Sequence, residues 1–183
     1  MQLVPDLYID IQNGASMLWR LEHAGVDVGD RWEEMADLVL TRVEDMSNPF
    51  TSAHFAVVLA AVGNYSACEQ LIDTMQSVTA NADLPLSGRY QHSAVPAARA
   101  AIAHRRGAYD QVVEILLPVR QSISDMGGSH AQQDLFYQIL VDAVVKVGKV
   151  ELSKQLLSEI EKIGFTEPAR RAGYQIAASS ILQ

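Results

Sequence analysis

The chain has 183 residues, about half of them apolar and a fifth charged, with a formal net charge of −8. That length supports one substantial core, and the acidic balance argues against general binding to nucleic acid. A single cysteine, Cys68, excludes an internal disulfide framework and a cysteine zinc site; it lies among Ala67, Leu71 and Ile72, where a buried thiol is the plain expectation.

The first helix is expected over about Asp6 to Ala24. Leu7, Tyr8, Ile11, Ala15, Leu18 and Trp19 form one stripe, which Leu3, Gly14, Met17 and Leu21 widen. Gly25 ends it. Asp30, with Glu33 three residues on, makes a capping-box pattern for a second helix reaching about Asp45. Asn48-Pro49 is a breaker, and Thr51 or Ser52 is expected to cap the third helix. HFAVVLAAV is small and apolar nearly all round, so this helix belongs at the centre. The fourth runs from Tyr65 to about Thr79. NADLPLSGRYQHS reads as a loop of roughly a dozen residues, a length that often carries function. Ser93 and Pro96 open the fifth helix. Pro118 should kink or break the sixth, because it removes a donor and frees the Glu114 carbonyl. Ser129 and Gln132 form a second capping box, opening a seventh helix to about Val147. The eighth spans Val150 to Ile163. Gly164 closes it, Thr166 caps the ninth, and Pro168 sits in the first turn of that last helix. No strand-like alternation survives, so the fold class is all-α.

One pattern recurs along this series. AAVGNYSACEQLIDTM turns at Gly63, ARAAIAHRRGAYDQVVEILLPV at Gly107 and VVKVGKVELSKQLLSEI at Gly148, the glycines standing 44 and 41 residues apart. Tyr65 and Tyr109 open the helices after the first two turns, and Val150 takes that place after the third. A helical hairpin recurring at this period predicts antiparallel hairpins stacked as a short right-handed solenoid of about nine helices. The expected units are 6–45, 51–80, 93–126 and 129–163, with a capping helix over 167–182, in a single domain. Each turn tyrosine should wedge between neighbouring units.

The pattern resembles the tetratricopeptide repeat. Gly63, Tyr65 and Cys68, and likewise Gly107, Tyr109 and Val112, match its turn and crossing positions. Gly148, Val150 and Ser153 match less well, and Ala56 and Ala100 fit the small position of the first helix. The blocks SMLWRLEHAGVDVGDRW, AHFAVVLAAVG, EILLPVR and GGSHAQQDLF resemble, in order, the C-terminal part of the tetratricopeptide repeat protein 38 family. Gln133 stands where that family usually has arginine, and Thr51-Ser52 where it commonly has Asn-Asp. Members are usually more than twice this length, which implies a shortened relative or a fragment. The resemblance implies a helical-repeat fold without a defined chemistry.

In repeats of this type the first helix of each hairpin lines a concave groove, which here would hold Trp19, His54, His104, Arg105, Gln138 and Asp142. Its small and apolar remainder fits a helix or an apolar peptide, or equally the chain's own last helix. Arg89 and His92 belong to the long loop. His54, His92 and His104 approach one another if the third and fifth helices lie side by side, but no metal-ligand spacing joins them. His130 and Asp134, one turn apart, read as a local pair. Gly127-Gly128-Ser129 lacks the lysine of a phosphate loop, and no dinucleotide fingerprint or nucleophile elbow is present, so no cofactor and no catalytic residue is indicated.

Two functions stay open. One is a non-catalytic interaction or scaffold domain that takes a protein or peptide partner. The other is a small-ligand or enzymatic domain using a histidine-lined pocket. The apolar width of the first helix predicts a homodimer, or docking to missing upstream repeats, through that helix. Residues 1–92 hold 13 acidic and 4 basic side chains, while residues 93–183 hold 9 and 10. A solvated surface is the plain reading of that asymmetry. Asp6 and Asp10 interrupt any signal-peptide pattern, and the longest apolar run, 55–62, is too short to span a bilayer, so a cytoplasmic protein is expected.

Overall fold

The recurring turns are one backbone device used three times. Gly63, Gly107 and Gly148 have φ of +68°, +73° and +72°, in the left-handed region that a Cβ disfavours. At each, the glycine N–H reaches back three residues and the next N–H reaches back five. Gly107 donates to the His104 carbonyl at 3.0 Å and Ala108 to that of Ala103 at 2.9 Å. Gly63 with Asn64, and Gly148 with Lys149, repeat the pair on Ala60 with Leu59 and on Val145 with Val144. These bonds satisfy carbonyls that a helix end leaves without partners.

The computed structural model describes residues 8–164 and 167–180, and all regular structure among them is helical. The helices are α1 (Tyr8–His23), α2 (Arg31–Leu40), α3 (Pro49–Ala61), α4 (Tyr65–Thr79), the single turn α5 (Ser87–Arg89), α6 (Val95–Arg105), α7 (Tyr109–Val119), α8 (His130–Lys146), α9 (Val150–Gly164) and α10 (Gln175–Ser180). Leu3, Leu7 and Thr166 lie outside the described residues.

Several local expectations need correction. Helix α3 starts before Thr51: Asn48 is its cap, accepting from the Phe50 and Thr51 amides at 3.0 and 3.3 Å. Pro49 then occupies the first turn, where its missing N–H costs nothing. Asp30 makes no side-chain cap, so the box expected at α2 is absent. The Ser129–Gln132 box is present, with the Ser129 amide donating to Gln132 Oε1 at 3.1 Å.

The expected dozen-residue loop is shorter, because helical backbone already begins at Ser87. Residues Tyr90–Ala94 form a π-turn in which the Val95 amide reaches the Tyr90 carbonyl. The widened turn suits Pro96, which has no N–H for the ordinary ladder. Tyr90 is fully buried and bonds to Ser52 Oγ at 2.9 Å, which anchors the segment to α3. Helix α7 ends one residue after Pro118 and continues as a 3-10 stretch, Arg120–Met126. The expected capping helix is also shorter, with two 3-10 turns (Pro168–Arg170 and Ala172–Tyr174) leading into α10.

Helix α3 is buried from Pro49 to Ala60, as its small apolar sequence demands. It packs against α1, α2, α4 and α6. Helix α6 packs on α3, α4, α7 and α8, and α8 on α6, α7 and α9. Ala56, Cys68, Ala100, Val112 and Ser153, the small crossing residues of the sequence pattern, are all buried. A further contact joins the ends of this series: α1 lies against α8 as well as against α2 and α3.

Candidate functional site

Where α1, α6 and α8 end, their last turns surround a cleft of about 260 Å3. Trp19, Glu22 and His23 enter it from α1, His104 and Arg105 from α6, Tyr109 from α7, and Asp142 and Lys146 from α8. Asp142 is the buried centre. His104 Nε2 lies 2.7 Å from its Oδ2 and His23 Nδ1 lies 3.8 Å from its Oδ1. Burial pushes the Asp142 carboxyl up, but the His104 hydrogen bond and the His104, His23 and Lys146 charges outweigh it, leaving the group below its ordinary value. Burial lowers His23, with His104 and Lys146 adding repulsion against the attraction of Asp142.

The walls are aromatic. Trp19 stacks on His23 with ring centres 4.8 Å apart, and Tyr109 meets His104 edge-on at 5.4 Å. Arg105 pairs with Glu22 and lies over the Trp32 ring at 5.2 Å.

Of the residues expected to share a groove, the cleft brings together Trp19, His104, Arg105 and Asp142. His54 is elsewhere, wholly buried between Phe50 and Phe136 at ring distances of 4.4 and 5.3 Å. Its Nδ1 is 2.9 Å from the Phe50 carbonyl, so that nitrogen carries the proton, and Nε2 accepts from Ser16 Oγ at 3.2 Å. Burial lowers its pKa to about 4. Arg89 and His92 are exposed at the start of the α6 approach, outside the cleft, and His92 shares no partner with His54 or His104.

Gln138 is covered by the chain's own C-terminal segment. Its Nε2 donates to Asp134 Oδ2 at 2.6 Å, and Gly173 packs so closely that a Cβ there would collide with the Gln138 amide. Asp134 also accepts from Arg171 at 2.7 Å and from the buried Tyr174 hydroxyl at 2.6 Å. Burial first, then the Asp134 charge, raises that phenol far above its ordinary value. Asp134 thus serves the C-terminal segment and not His130.

Sequence reasoning missed His23, Lys146 and the Asp134–Tyr174 contact. The first two had a signal, since each stands one helical turn after an expected groove residue, Trp19 or Asp142. The third had none, because 40 residues separate its partners.

Among the described residues no group of three or more His, Cys, Asp or Glu side chains is placed to hold a metal ion. No helix among them is long and apolar enough to cross a membrane. The chain matches no known protein-family profile and no solved structure.

Proposed function

We propose that the chain is a non-catalytic protein-interaction or scaffold domain, a degenerate tetratricopeptide-type array of antiparallel hairpins stacked as a short solenoid and related to the C-terminal part of the tetratricopeptide repeat protein 38 family. One observation carries this reading: the same joint recurs. Two residues after the left-handed Gly63 and Gly107 comes a tyrosine, and a cation from the end of the next unit's first helix lies on its ring. Arg106 is 4.2 Å from the Tyr65 ring centre and Lys146 is 5.5 Å from that of Tyr109. A joint that recurs with the unit suits an array in which each unit packs on the next. The partner is a protein or peptide, received by the inner helices or by the outer face of α1. On that face Ile9, Met17 and Leu21 are exposed, which supports self-association or docking to further repeats.

Affinity capture from the source cell tests the reading, with the chain and its Lys146→Glu variant as matched baits. A protein recovered in stoichiometric amount by the first, and reduced with the second, is the expected result. Recovery of no such protein by either bait would overturn it.

The small-ligand reading has one specific support, the His104–Asp142 pair with His23 beside it under an aromatic wall. A small molecule that shifts the ring resonances of His23 and His104 but not those of His54 would favour it.

A further inference from the structure

We infer that the cleft where α1, α6 and α8 end binds a small oxyanion, the carboxylate or phosphate group of a low-molecular-weight ligand. This gives the small-ligand reading of the same cleft its chemistry and rests on it.

The first ground is a pair of buried donors that cannot serve each other. Arg105 lines the cleft, gives one arm of its guanidinium to Glu22 and lies over the Trp32 ring at 5.2 Å. Its Nε is buried and has no hydrogen-bond partner among the described residues, and the same holds for the indole Nε1 of Trp32. Both groups only donate, so their contact leaves each unsatisfied. Buried donors are seldom left so, because an unmade bond costs the group its hydration with nothing in return. What completes this pair is an acceptor.

The second ground is the balance of hydrogen-bonding capacity in the lining. Its acceptors are engaged: Asp142 Oδ2 is held by His104, and Glu22 by Arg105. The helix ends are closed by their own backbone, since Val26 donates to the Leu21 carbonyl, Ala108 to that of Ala103 and Lys149 to that of Val144. The donors are less engaged. Lys146 Nζ lies on the Tyr109 ring at 5.5 Å, and the ion pairs of Asp142 are with the two histidines and not with it. His23 stacks on Trp19 and keeps its Nδ1 3.8 Å from Asp142 Oδ1, beyond hydrogen-bond reach.

The third ground is size and setting. At about 260 Å3 the cleft is smaller than those that take drug-sized ligands, so it suits a molecule of few atoms. Trp19 and Tyr109 wall it, and a charge between such rings is screened less than one in water. An oxyanion there accepts from Lys146, His23 and the Arg105 Nε, the charge-assisted bonds that hold carboxylates and phosphates.

Trp19 and Trp32 are the chain's two tryptophans, so its intrinsic fluorescence reads this site. The full chain is titrated at pH 7 with acetate and, separately, with orthophosphate, while chloride keeps the ionic strength constant. A saturable change with at least one anion is expected, in the millimolar range open to so small a ligand. Saturation by one alone tells carboxylate from phosphate chemistry, and saturation by both marks the shared charge as what is recognised. Lys146→Gln and Arg105→Lys should each weaken that binding about tenfold. The second variant keeps a cation facing Glu22 and removes the Nε donor. If circular dichroism finds it unfolded, Trp32→Phe carries the test, with Trp19 reporting. No saturation by either anion, or unchanged affinity in the folded variants, would overturn the inference. If both anions fail and another class of molecule shifts the His23 and His104 rings, the small-ligand reading stands without this one, so the two fail separately.

Discussion

His54 shows how one side chain is committed by its surroundings. Its Nδ1 proton rests on the Phe50 carbonyl and Ser16 meets the other nitrogen, while complete burial disfavours a second proton and the charge it would bring. Its pKa falls from the ordinary 6.5 to about 4, and the unfolded chain therefore binds more protons between those values. The resulting stability is fully present above pH 6.5 and is lost as pH falls towards 4, at a cost of about 3 kcal/mol. Urea unfolding at pH 7 and pH 4 should show that loss, and His54→Asn should remove this part of the pH dependence. Tyr109 is a milder case. As a ring wedged in a core it would cost roughly 2–4 kcal/mol on truncation. It is in fact half-buried, with one edge on His104 and Lys146 over its face. Tyr109→Ala should therefore cost about 1–2 kcal/mol, measured as a shift in the urea midpoint.

Helix ends distinguish two kinds of glycine. A Cβ on Gly107 would meet open space, so Gly107→Ala carries only the strain of a left-handed φ, about 1 kcal/mol of global stability. Gly173 is needed for room, since the Gln138 amide lies where a Cβ would go. Gly173→Ala should loosen the segment 168–180 alone, seen as faster proteolysis there with an unchanged urea midpoint for the rest. Proline acts at this scale too. Pro118 was readable as a break because the missing donor is a local fact, and α7 stops beside it. The π-turn before Pro96 was not readable. It is the helix entering from Ser87, tied down by Tyr90 on Ser52, that makes proline an interior residue to be accommodated.

Across the whole molecule, the two ends of the described chain meet on α8. Arg20 of α1 comes within 3.9 Å of Asp134 Oδ2, and Arg171 and Tyr174 bind its other oxygen. Helix α8 is thereby flanked by α1 on one side and by the C-terminal segment on the other, which covers Gln138 and leaves the cleft around Asp142 uncovered. The outer face of α1 keeps Ile9, Met17 and Leu21 in solvent. If that face mediates self-association, light scattering at about 100 μM should give a dimer for the unaltered chain and a monomer for Met17→Glu with Leu21→Glu. A monomer in both cases would remove this face from the interaction surface.

The helices, most of their ends and the three left-handed turns at Gly63, Gly107 and Gly148 were legible along the chain, because capping, φ preference and apolar period act over a few residues. The sequence also placed Trp19, His104, Arg105 and Asp142 in one neighbourhood, since each stands at a comparable point of its own unit. That His54 belongs to the core while His23 and Lys146 belong to the cleft emerged only from the packing of the helices. A histidine's environment is set by residues on other helices, here Ser16 and Phe136 for His54 and Asp142 for His23. The closure of α1 on α8 was likewise beyond local reading, because it depends on the crossing geometry of all the helices between them and shows only in contacts such as Gln132 with Asn13, 119 residues apart.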